Sequence, residues 1–327
     1  MKALADALQK NSRFLYYARH MLALAVPDAW YRRQCPRLLA GMSDAVEQRL
    51  RDRVDYYYKV AGPFHLPDGI RPFRLSLTQG RSNYYFDLHE YARYFDPSFR
   101  LGYIFGDNTS VPPCPTLVKS RPIVDGNAHA VLFNLNKIRH FVFTDDRSEY
   151  EGKLDKVVWR GRAFQPQRKE FLRRFHDHPR CDVGHHHRKH QDVPWIKPRL
   201  TIAEQLRYKF ILAIEGNDVA SNLKWIMSSN SLCFMPPPRH ETWFMEGRLE
   251  PGRQVVVIRE DFGDLEEKMD YYLAHPAEAR SVIREARAWV NGFRDAETER
   301  LASLMVLWKY FHDSGQLDVT CPRGRAT

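Results

Sequence analysis

Residues 208–235 most constrain the fold, because they combine strand, turn and helix patterns in a fixed order. The apolar run 210–214 has the length and composition of a strand buried on both faces. The polar residues 215–218 favour a turn, and from Val219 the apolar spacing becomes helical. A second apolar run, 232–235, completes a βαβ unit. This unit predicts a parallel sheet with ligands at the carboxyl ends of its strands.

Strand and helix patterns also alternate through the rest of the C-terminal half. We predict strands over 156–159 and 254–258, and helices over 167–175, 264–274, 276–290 and 295–311. The charged, polar stretch 145–153 is the best candidate for a domain boundary. We therefore expect an α/β fold with an N-terminal domain at 1–150 and a C-terminal domain at 151–327.

Aromatic, β-favouring runs predict several short strands in the N-terminal half. Short strands are expected over 73–77, 84–86, 103–105, 131–135 and 141–144. Glycine and paired prolines make 106–113 a loop. A helix is expected from about Asp44, with Glu47 as in a capping box, to Tyr57.

The first 25 residues form a basic, amphipathic helical pattern. Its apolar residues are Leu4, Leu8, Phe14, Leu15, Met21 and Leu22, and its basic residues are Lys2, Lys10, Arg13 and Arg19. We interpret the apolar face as packing against the protein's own core, and contact with an anionic membrane surface stays open as the alternative.

Charge and cysteine content restrict the partners and the compartment. Lys and Arg number 50 against 40 Asp and Glu, which gives a net charge of +10 and favours anionic partners. The five cysteines form no CxxC pair, which favours a reducing compartment. Since no apolar run reaches membrane-spanning length, we expect a cytoplasmic protein, with peripheral binding at the inner membrane face as an extension of that hypothesis.

The candidate chemical residues are cationic and acidic side chains, because no Walker loop, GxSxG, HExxH or GxGxxG motif is present. Six histidines and Cys181 crowd residues 176–190, but their spacing favours a solvated loop over a zinc site. No Asp-x-Asp pair is available for Mg²⁺, so arginines and helix amides would have to neutralise a bound diphosphate. Arg160, Arg162 and Arg168 follow one strand end. Asp107, in the proline-rich loop, could be a general base.

Several of these segments, in this order and spacing, resemble glycosyltransferase family 90. The resemblance rests on Trp159-Arg160-Gly161, Arg168, Tyr208-Lys209-Phe210, the run from Glu215 to Trp225, Trp243-Phe244 and Asp264-Leu265-Glu266-Glu267-Lys268. It covers about residues 155–290, and the bacterial lipopolysaccharide core branch is the most similar.

The resemblance implies a GT-B fold, in which two Rossmann-like domains face each other across a cleft and C-terminal helices pack back. It implies an inverting transferase that needs no metal or other cofactor and moves a hexosyl or pentosyl group from a UDP-sugar. The implied acceptor is a glycan, on a lipopolysaccharide or lipooligosaccharide core, with no nucleic-acid partner.

The resemblance also implies roles for individual residues. Asp107 matches the loop aspartate proposed as the catalytic base in the eukaryotic members. The implied nucleotide-sugar contacts are Gly161, Arg162, Arg168, Gly216, Asn217, Asp218, Val219, Ala220, Ser221, Asn222 and Lys224. Animal members carry a small hydroxyl residue where Arg162 stands and an arginine where Asn222 stands. The cation that neutralises the phosphates could therefore be Arg162 or Lys224 here.

Two other functions remain open at this point. The positive charge and the interleaved aromatic residues would also suit a nucleic-acid-binding protein without catalytic activity. The departure at Asn222 would also permit a glycosyltransferase-like scaffold that has lost activity.

Overall fold

A computed structural model describes residues 12–76, 81–187 and 192–317. Their contacts divide the chain into two compact units. We call the first the five-stranded unit, which contains residues 138–239 and 247–292. The second, the three-stranded unit, contains residues 13–137, 240–246 and the chain from 293 onward.

The elements follow the chain in this order. The helices are α1 (Arg13–Ala23), α2 (Asp28–Ala40), α3 (Asp44–Tyr57), α4 (Ser82–Ala92), α5 (Lys137–His140), α6 (Pro166–Phe175), α7 (Ile202–Gln205), α8 (Leu223–Met227), α9 (Leu265–Ala274), α10 (Pro276–Asn291) and α11 (Ala296–Asp313). The strands are β1 (Tyr103–Ile104), β2 (Thr116–Val118), β3 (Ser120–Pro122), β4 (Ala130–Leu132), β5 (Leu154–Gly161), β6 (Cys181–His185), β7 (Tyr208–Leu212), β8 (Leu232–Met235), β9 (His240–Thr242) and β10 (Val256–Val257).

The five-stranded unit is built on a parallel sheet in the order β10-β8-β7-β5-β6. Its middle strands are apolar on both faces, as Phe210, Ile211 and Leu212 show with no exposed surface. The chain runs outward from β5 to β6, then returns past β5 to add β7, β8 and β10. The strand order therefore reverses between β5 and β7, which is the topological switch point of this sheet.

The three-stranded unit contains the parallel sheet β1-β2-β4 and the antiparallel pair β3–β9. The long helix α11 contacts α2, α3 and α4. Trp243 is buried in this unit, stacked on Tyr57 with ring centroids 3.8 Å apart, and its indole N–H donates to Glu299 at 2.6 Å. Residues 240–246 are therefore part of this core, although their neighbours in the chain belong to the five-stranded unit.

Most of the predicted elements are confirmed. The strands at 103–104, 130–132, 154–161, 208–212, 232–235 and 256–257 lie in or overlap their predicted segments, as do the helices at 44–57, 166–175, 265–274, 276–291 and 296–313. The cap of α3 is Ser43, whose Oγ accepts from the Val46 amide. The parallel sheets and helices confirm the α/β class.

Four local predictions are wrong. Residues 84–86 lie in α4, where all three aromatic side chains are buried, so helical packing overrides their β propensity. No strand forms over residues 141–144. None forms over the described residues 73–76 either, where the neighbouring Pro72 makes an isolated β-bridge to Arg100, and Leu77 lies outside the described residues. The helix after the central turn begins at Leu223 instead of Val219 and is only 5 residues long.

The favoured interpretation of the N-terminal helix is also wrong for its described part. Phe14, Leu15, Met21 and Leu22 are exposed, and α1 buries its aromatic side instead. Leu4 and Leu8 lie outside the described residues. Within the described ranges, every helix is too short or too polar to cross a bilayer.

The contact-based units cut the chain near residue 138, whereas the sequence places the boundary at 150. The chain from residue 293 belongs with the N-terminal half. The assignment of acceptor binding to one domain and donor binding to the other stays a prediction.

Candidate active site

The carboxyl ends of β5 and β7 bring together most of the predicted site residues of the five-stranded unit. β5 ends at Gly161 and leads through residues 162–165 into α6. β7 ends at Leu212 and leads into the loop 213–222. Because the two strands are neighbours at the switch point, their loops meet where open parallel sheets bind ligands.

Arg168, in the first turn of α6, links these two loops. Its Nη2 donates to the carbonyl of Ile214 at 2.7 Å, and its Nη1 donates to the carbonyl of Arg162 at 3.0 Å. Its guanidinium carbon lies 5.6 Å from the centroid of the Trp159 ring. Two backbone carbonyls and an aromatic face therefore hold the guanidinium in one orientation.

The charge of Arg168 has no close acidic partner. Among the described residues, no carboxylate lies within ion-pair distance of it, and its buried Nε has no hydrogen-bond partner. Burial and the charge of Arg139 lower the pKa of the guanidinium, against the opposing charges of Asp218 and Glu215, to about 10. The group stays positive at neutral pH, and an uncompensated cation of this kind favours an anionic ligand.

The loop after β7 is anchored by side chains at the start of α6. Gln167 Nε2 donates to the carbonyls of Glu215 and Gly216, both at 3.1 Å. Gln165 Nε2 donates to Asn217 Oδ1 at 2.9 Å. Asn222 Nδ2 donates back to the carbonyl of Leu212 at 3.0 Å, which closes the loop on itself. The predicted turn is therefore held in a defined conformation.

Gly161 stands where no larger residue fits. A Cβ at this position would lie 2.5 Å from Cζ2 of Trp159, whose side chain is buried. A Cβ at Gly216 would lie 3.3 Å from Nη2 of Arg168. Gly161 therefore keeps the backbone against Trp159 and Gly216 keeps it against Arg168, and both are among the predicted site residues.

The predicted contacts differ widely in exposure. Arg162 and Asn217 are exposed, whereas Gly161, Gly216, Ser221 and Asn222 are partly exposed. Asp218, Val219 and Ala220 are buried. Lys224 has no exposed surface, so direct contact between its ammonium and a ligand would require a rearrangement.

Arg160 is held by an ion pair on the neighbouring strand. Its Nη2 donates to Asp182 Oδ1 at 2.7 Å, and Tyr208 donates to Asp182 Oδ2 at 2.6 Å. Burial opposes ionisation of Asp182, but the hydrogen bonds from Tyr208 and Arg160 and the charges of Arg160 and Lys197 lower its pKa to about 2. Arg160 was expected to follow the strand end but lies within β5, so Arg162 and Arg168 are the arginines of this group that can contact an anion.

Asp107 belongs to the three-stranded unit, in the predicted loop. The Nζ of Lys119 lies 2.6 Å from its Oδ1, and the Lys119 side chain is buried whereas that of Asp107 is partly exposed. Gly106 precedes it with a φ of +115°, a conformation that favours glycine. The carboxylate is therefore fixed by a buried cation while part of its surface stays accessible.

The loop around Asp107 is tied to β3 by Ser120. The amide of Asn108 donates to Ser120 Oγ at 3.2 Å, and Ser120 Oγ donates to the carbonyl of Asn108 at 3.1 Å. Arg121, next along β3, is fully buried and donates to Glu241 and to three backbone carbonyls. The segment 119–121 therefore supports the candidate base from the core of its unit.

The histidine-rich region does not converge on one point in its described part. His176 and His178 contact Asp177 and Glu266 respectively, and His185 Nδ1 accepts from the Ala163 amide at 2.9 Å. The predicted solvated loop is wrong over Cys181–His185, which form the strand β6 with Cys181 and His185 buried. His186 and His187 follow that strand, and His190 lies outside the described residues.

A second group of potential metal ligands, His20, Asp87 and Glu90, lies in the three-stranded unit. The ammonium of Lys137 already contacts both acids there, with its Nζ 3.6 Å from Asp87 Oδ1. This lysine supplies the positive charge that a metal ion would bring.

Two residues at the candidate sites carried no usable sequence signal. Arg139 lies in the short helix α5, near enough to affect Arg168 electrostatically, and no motif surrounds it. Lys119 follows a short apolar strand and looks like a surface cation until its burial is known.

Comparison with known proteins identifies the family. The model of glycosyl transferase family 90 matches residues 134–306. O-glucosyltransferase LpsA of Dichelobacter nodosus is 42% identical over 299 residues, which cover 90% of this chain and 94% of that protein. Protein O-glucosyltransferase 2 of Danio rerio is 23% identical over 188 residues, which cover 54% of this chain and 35% of that protein. The chain belongs to glycosyltransferase family 90.

Proposed function

We propose that this protein is an inverting, metal-independent transferase that moves a sugar from a UDP-sugar to a glycan acceptor. The observation that carries the proposal is the guanidinium of Arg168, oriented at the sheet's switch point with no carboxylate in ion-pair distance among the described residues. Family membership supplies the reaction class, glycosyl transfer. A parallel sheet in each unit is compatible with the expected GT-B fold, which is part of this proposal.

The proposed ligand of Arg168 is the diphosphate of the donor. Its remaining N–H groups can donate to phosphate oxygens while two others stay on the carbonyls of Ile214 and Arg162. The charge of Arg139 acts on Arg168, and the exposed Arg162, which follows β5, would add to the positive potential. Three guanidinium groups can offset the charge that develops on the leaving phosphate, a role that a metal ion has in other transferases.

The backbone of the two loops would hold the rest of the donor. Gly161 and Gly216 let the backbone lie against Trp159 and Arg168, and the partly exposed Ser221 and Asn222 supply polar groups. Since α8 is only 5 residues long, we assign the phosphates to arginines and not to a helix dipole at Val219. Lys224 is left out of the direct contacts because it is fully buried.

The proposed base is Asp107. It would take the proton from an acceptor hydroxyl, which attacks the anomeric carbon as the bond to the UDP oxygen breaks. Attack from the face opposite UDP inverts the configuration, through a transition state with oxocarbenium character. Lys119 holds the carboxylate in place at 2.6 Å.

The relatives suggest the donor and the acceptor to try first. Both are named O-glucosyltransferases, so UDP-glucose is the first donor to test. As acceptor we propose a lipopolysaccharide or lipooligosaccharide core on the cytoplasmic membrane face, which is the acceptor class that the family resemblance implies.

The decisive experiment is calorimetric titration with UDP and UDP-glucose, with and without EDTA. We expect EDTA to leave the dissociation constant unchanged, and Arg168→Ala to weaken UDP binding about 10- to 100-fold, since charged hydrogen bonds contribute roughly 1.5–3 kcal/mol. Arg173→Ala is the matched control, because Arg173 lies on the same helix, is exposed and pairs with Glu170.

Four results would count against the proposal. Unchanged UDP affinity in Arg168→Ala would remove the diphosphate assignment. Loss of binding in EDTA with recovery in Mg²⁺ would contradict metal independence. Binding of UDP-sugars without hydrolysis or transfer would favour the inactive scaffold, and salt-dependent retention on nucleic acid without UDP affinity would favour the nucleic-acid-binding alternative.

A further inference from the structure

Helix α1 presents an apolar face to solvent and packs Tyr16, Tyr17 and His20 against α4. Tyr16 donates to Asp87 at 2.7 Å, and the Tyr17 hydroxyl lies 3.0 Å from Ser82 Oγ. His20 stacks on Phe86 with centroids 5.1 Å apart. These contacts fasten α1 to α4 through one side of the helix.

The opposite side of α1 carries its large aliphatic and aromatic side chains. Phe14, Met21 and Leu22 follow the 3.6-residue helical period around Ala18, and Phe14 and Leu22 are 80% and 75% exposed. A contiguous apolar stripe of this kind on a surface helix marks an interaction site. Arg13 and Arg19, both exposed, lie to either side of the stripe.

The next helix repeats the combination of an apolar anchor and positive charge. Trp30 is 52% exposed, and Arg33 and Arg37 follow it at helical spacing and are exposed as well. Residues 12–40 contain five arginines and a single acid, Asp28, which is ion-paired with Arg93 at 2.6 Å. Both helices therefore combine exposed apolar side chains with positive charge. Arg19 pairs with Glu90 at 3.0 Å, whereas no carboxylate of the described residues lies in ion-pair distance of Arg13, Arg33 or Arg37.

We propose that these two helices form a docking surface for an anionic lipid bilayer. The surface, here the N-terminal surface, consists of Phe14, Met21, Leu22 and Trp30 with Arg13, Arg33 and Arg37. Phe14, Met21 and Leu22 would enter the boundary between headgroups and acyl chains, and Trp30 would lie at the headgroup level. The arginines would contact lipid phosphates.

Charge distinguishes a bilayer from a second copy of the chain as the occupant. In a symmetric dimer the same patch faces itself, so the arginines of one copy would meet those of the other. Like charges across an interface disfavour association, whereas an anionic headgroup layer complements them. The docking surface does not depend on the proposed sugar transfer. Membrane binding would bring the protein close to a lipid-linked acceptor.

The test is cosedimentation of the full chain with vesicles of phosphatidylglycerol and phosphatidylcholine in equal parts, against pure phosphatidylcholine. We expect binding to the anionic vesicles, weakened by salt. The pair Phe14→Ser and Leu22→Ser should weaken it about tenfold or more, since each residue loses its apolar burial. Arg33→Glu with Arg37→Glu should weaken binding to anionic vesicles about tenfold as well.

Matched controls use residues outside the N-terminal surface. Val124→Ser changes another exposed apolar side chain, at 53%, and Arg147→Glu with Arg284→Glu makes the same charge change in the five-stranded unit. Melting temperatures and UDP affinity, measured for every variant, separate failure to fold or to bind nucleotide from loss of docking. The proposal is overturned if the full chain does not bind anionic vesicles or if the surface variants bind them like the controls. It is also overturned if sedimentation shows a stable dimer that buries the N-terminal surface.

Discussion

Replacing Gly161 by Ala tests how the end of β5 supports Arg168. The new methyl would lie 2.5 Å from Cζ2 and 2.9 Å from Cη2 of Trp159. Carbon atoms prefer separations of about 3.5–4.0 Å, so the ring or the strand must move by about 1 Å. Trp159 is only 3% exposed, which leaves little room for that movement.

The expected cost follows from overpacking a buried side chain. Inserting a methyl into a packed core destabilises by about 1–3 kcal/mol, which would lower the melting temperature by several degrees. Arg168 lies over the same ring, 5.6 Å from its centroid, so its guanidinium should move as well. We expect UDP binding to weaken about tenfold, since charged hydrogen bonds depend strongly on geometry.

The assay pairs thermal unfolding with UDP titration in three variants. Gly152→Ala is the control, because the nearest atom to its added Cβ is 3.8 Å away. Adding Trp159→Phe to Gly161→Ala removes the atoms that the methyl meets, so the double variant should recover part of the lost stability. If Gly161→Ala matches Gly152→Ala in both melting temperature and UDP affinity, the steric argument fails.

Further predictions concern both units. Asp107→Asn should lower turnover by a factor of about 10² to 10⁴ with UDP binding intact; near-normal turnover would remove Asp107 from its role. Lys119→Met leaves that carboxylate unheld and should lower kcat about tenfold or more, with the KM for the donor unchanged; steady-state kinetics with both substrates decides this. The pKa of Asp182 is lowered, so its ionised form stabilises the fold above about pH 4, and that contribution is lost as pH falls towards 2. After allowance for partial exposure the contribution is about 1 kcal/mol, so urea titrations of Asp182→Asn should show a deficit at pH 6 that shrinks in acid. Trp243→Phe removes the indole N–H that bonds buried Glu299 at 2.6 Å and should cost about 1–3 kcal/mol of unfolding free energy; an unchanged urea midpoint would contradict it.

Local patterns were sufficient wherever one short segment decides its own conformation. The apolar run 232–235 forms β8, and Pro276 opens α10 as its place before a helical pattern predicts. Asp295 caps α11 by accepting from the Thr298 amide at 2.9 Å. The strand prediction for residues 84–86 was wrong because aromatic residues suit a buried helix as well as a strand. Only the elements packed against α4 decide between the two.

The candidate site likewise has features that the sequence predicted and features that only the structure shows. The segment order from Trp159 through Lys224 identified the family without any coordinates, and it placed Arg168 among the candidate residues. It gave no sign that Lys224 is fully buried, that Arg160 is bound to Asp182, or that Lys119 holds Asp107.

The sequence alone therefore determined the alternation of strands and helices, the family and the segments that carry the site. These depend on neighbouring residues, whose spacing and chemistry can be read along the chain. Only the tertiary structure decided where the strand order reverses, that no carboxylate of the described residues pairs with Arg168, and which side of α1 faces solvent. Those properties depend on burial and charge contributed by residues far apart in sequence, which no local pattern records.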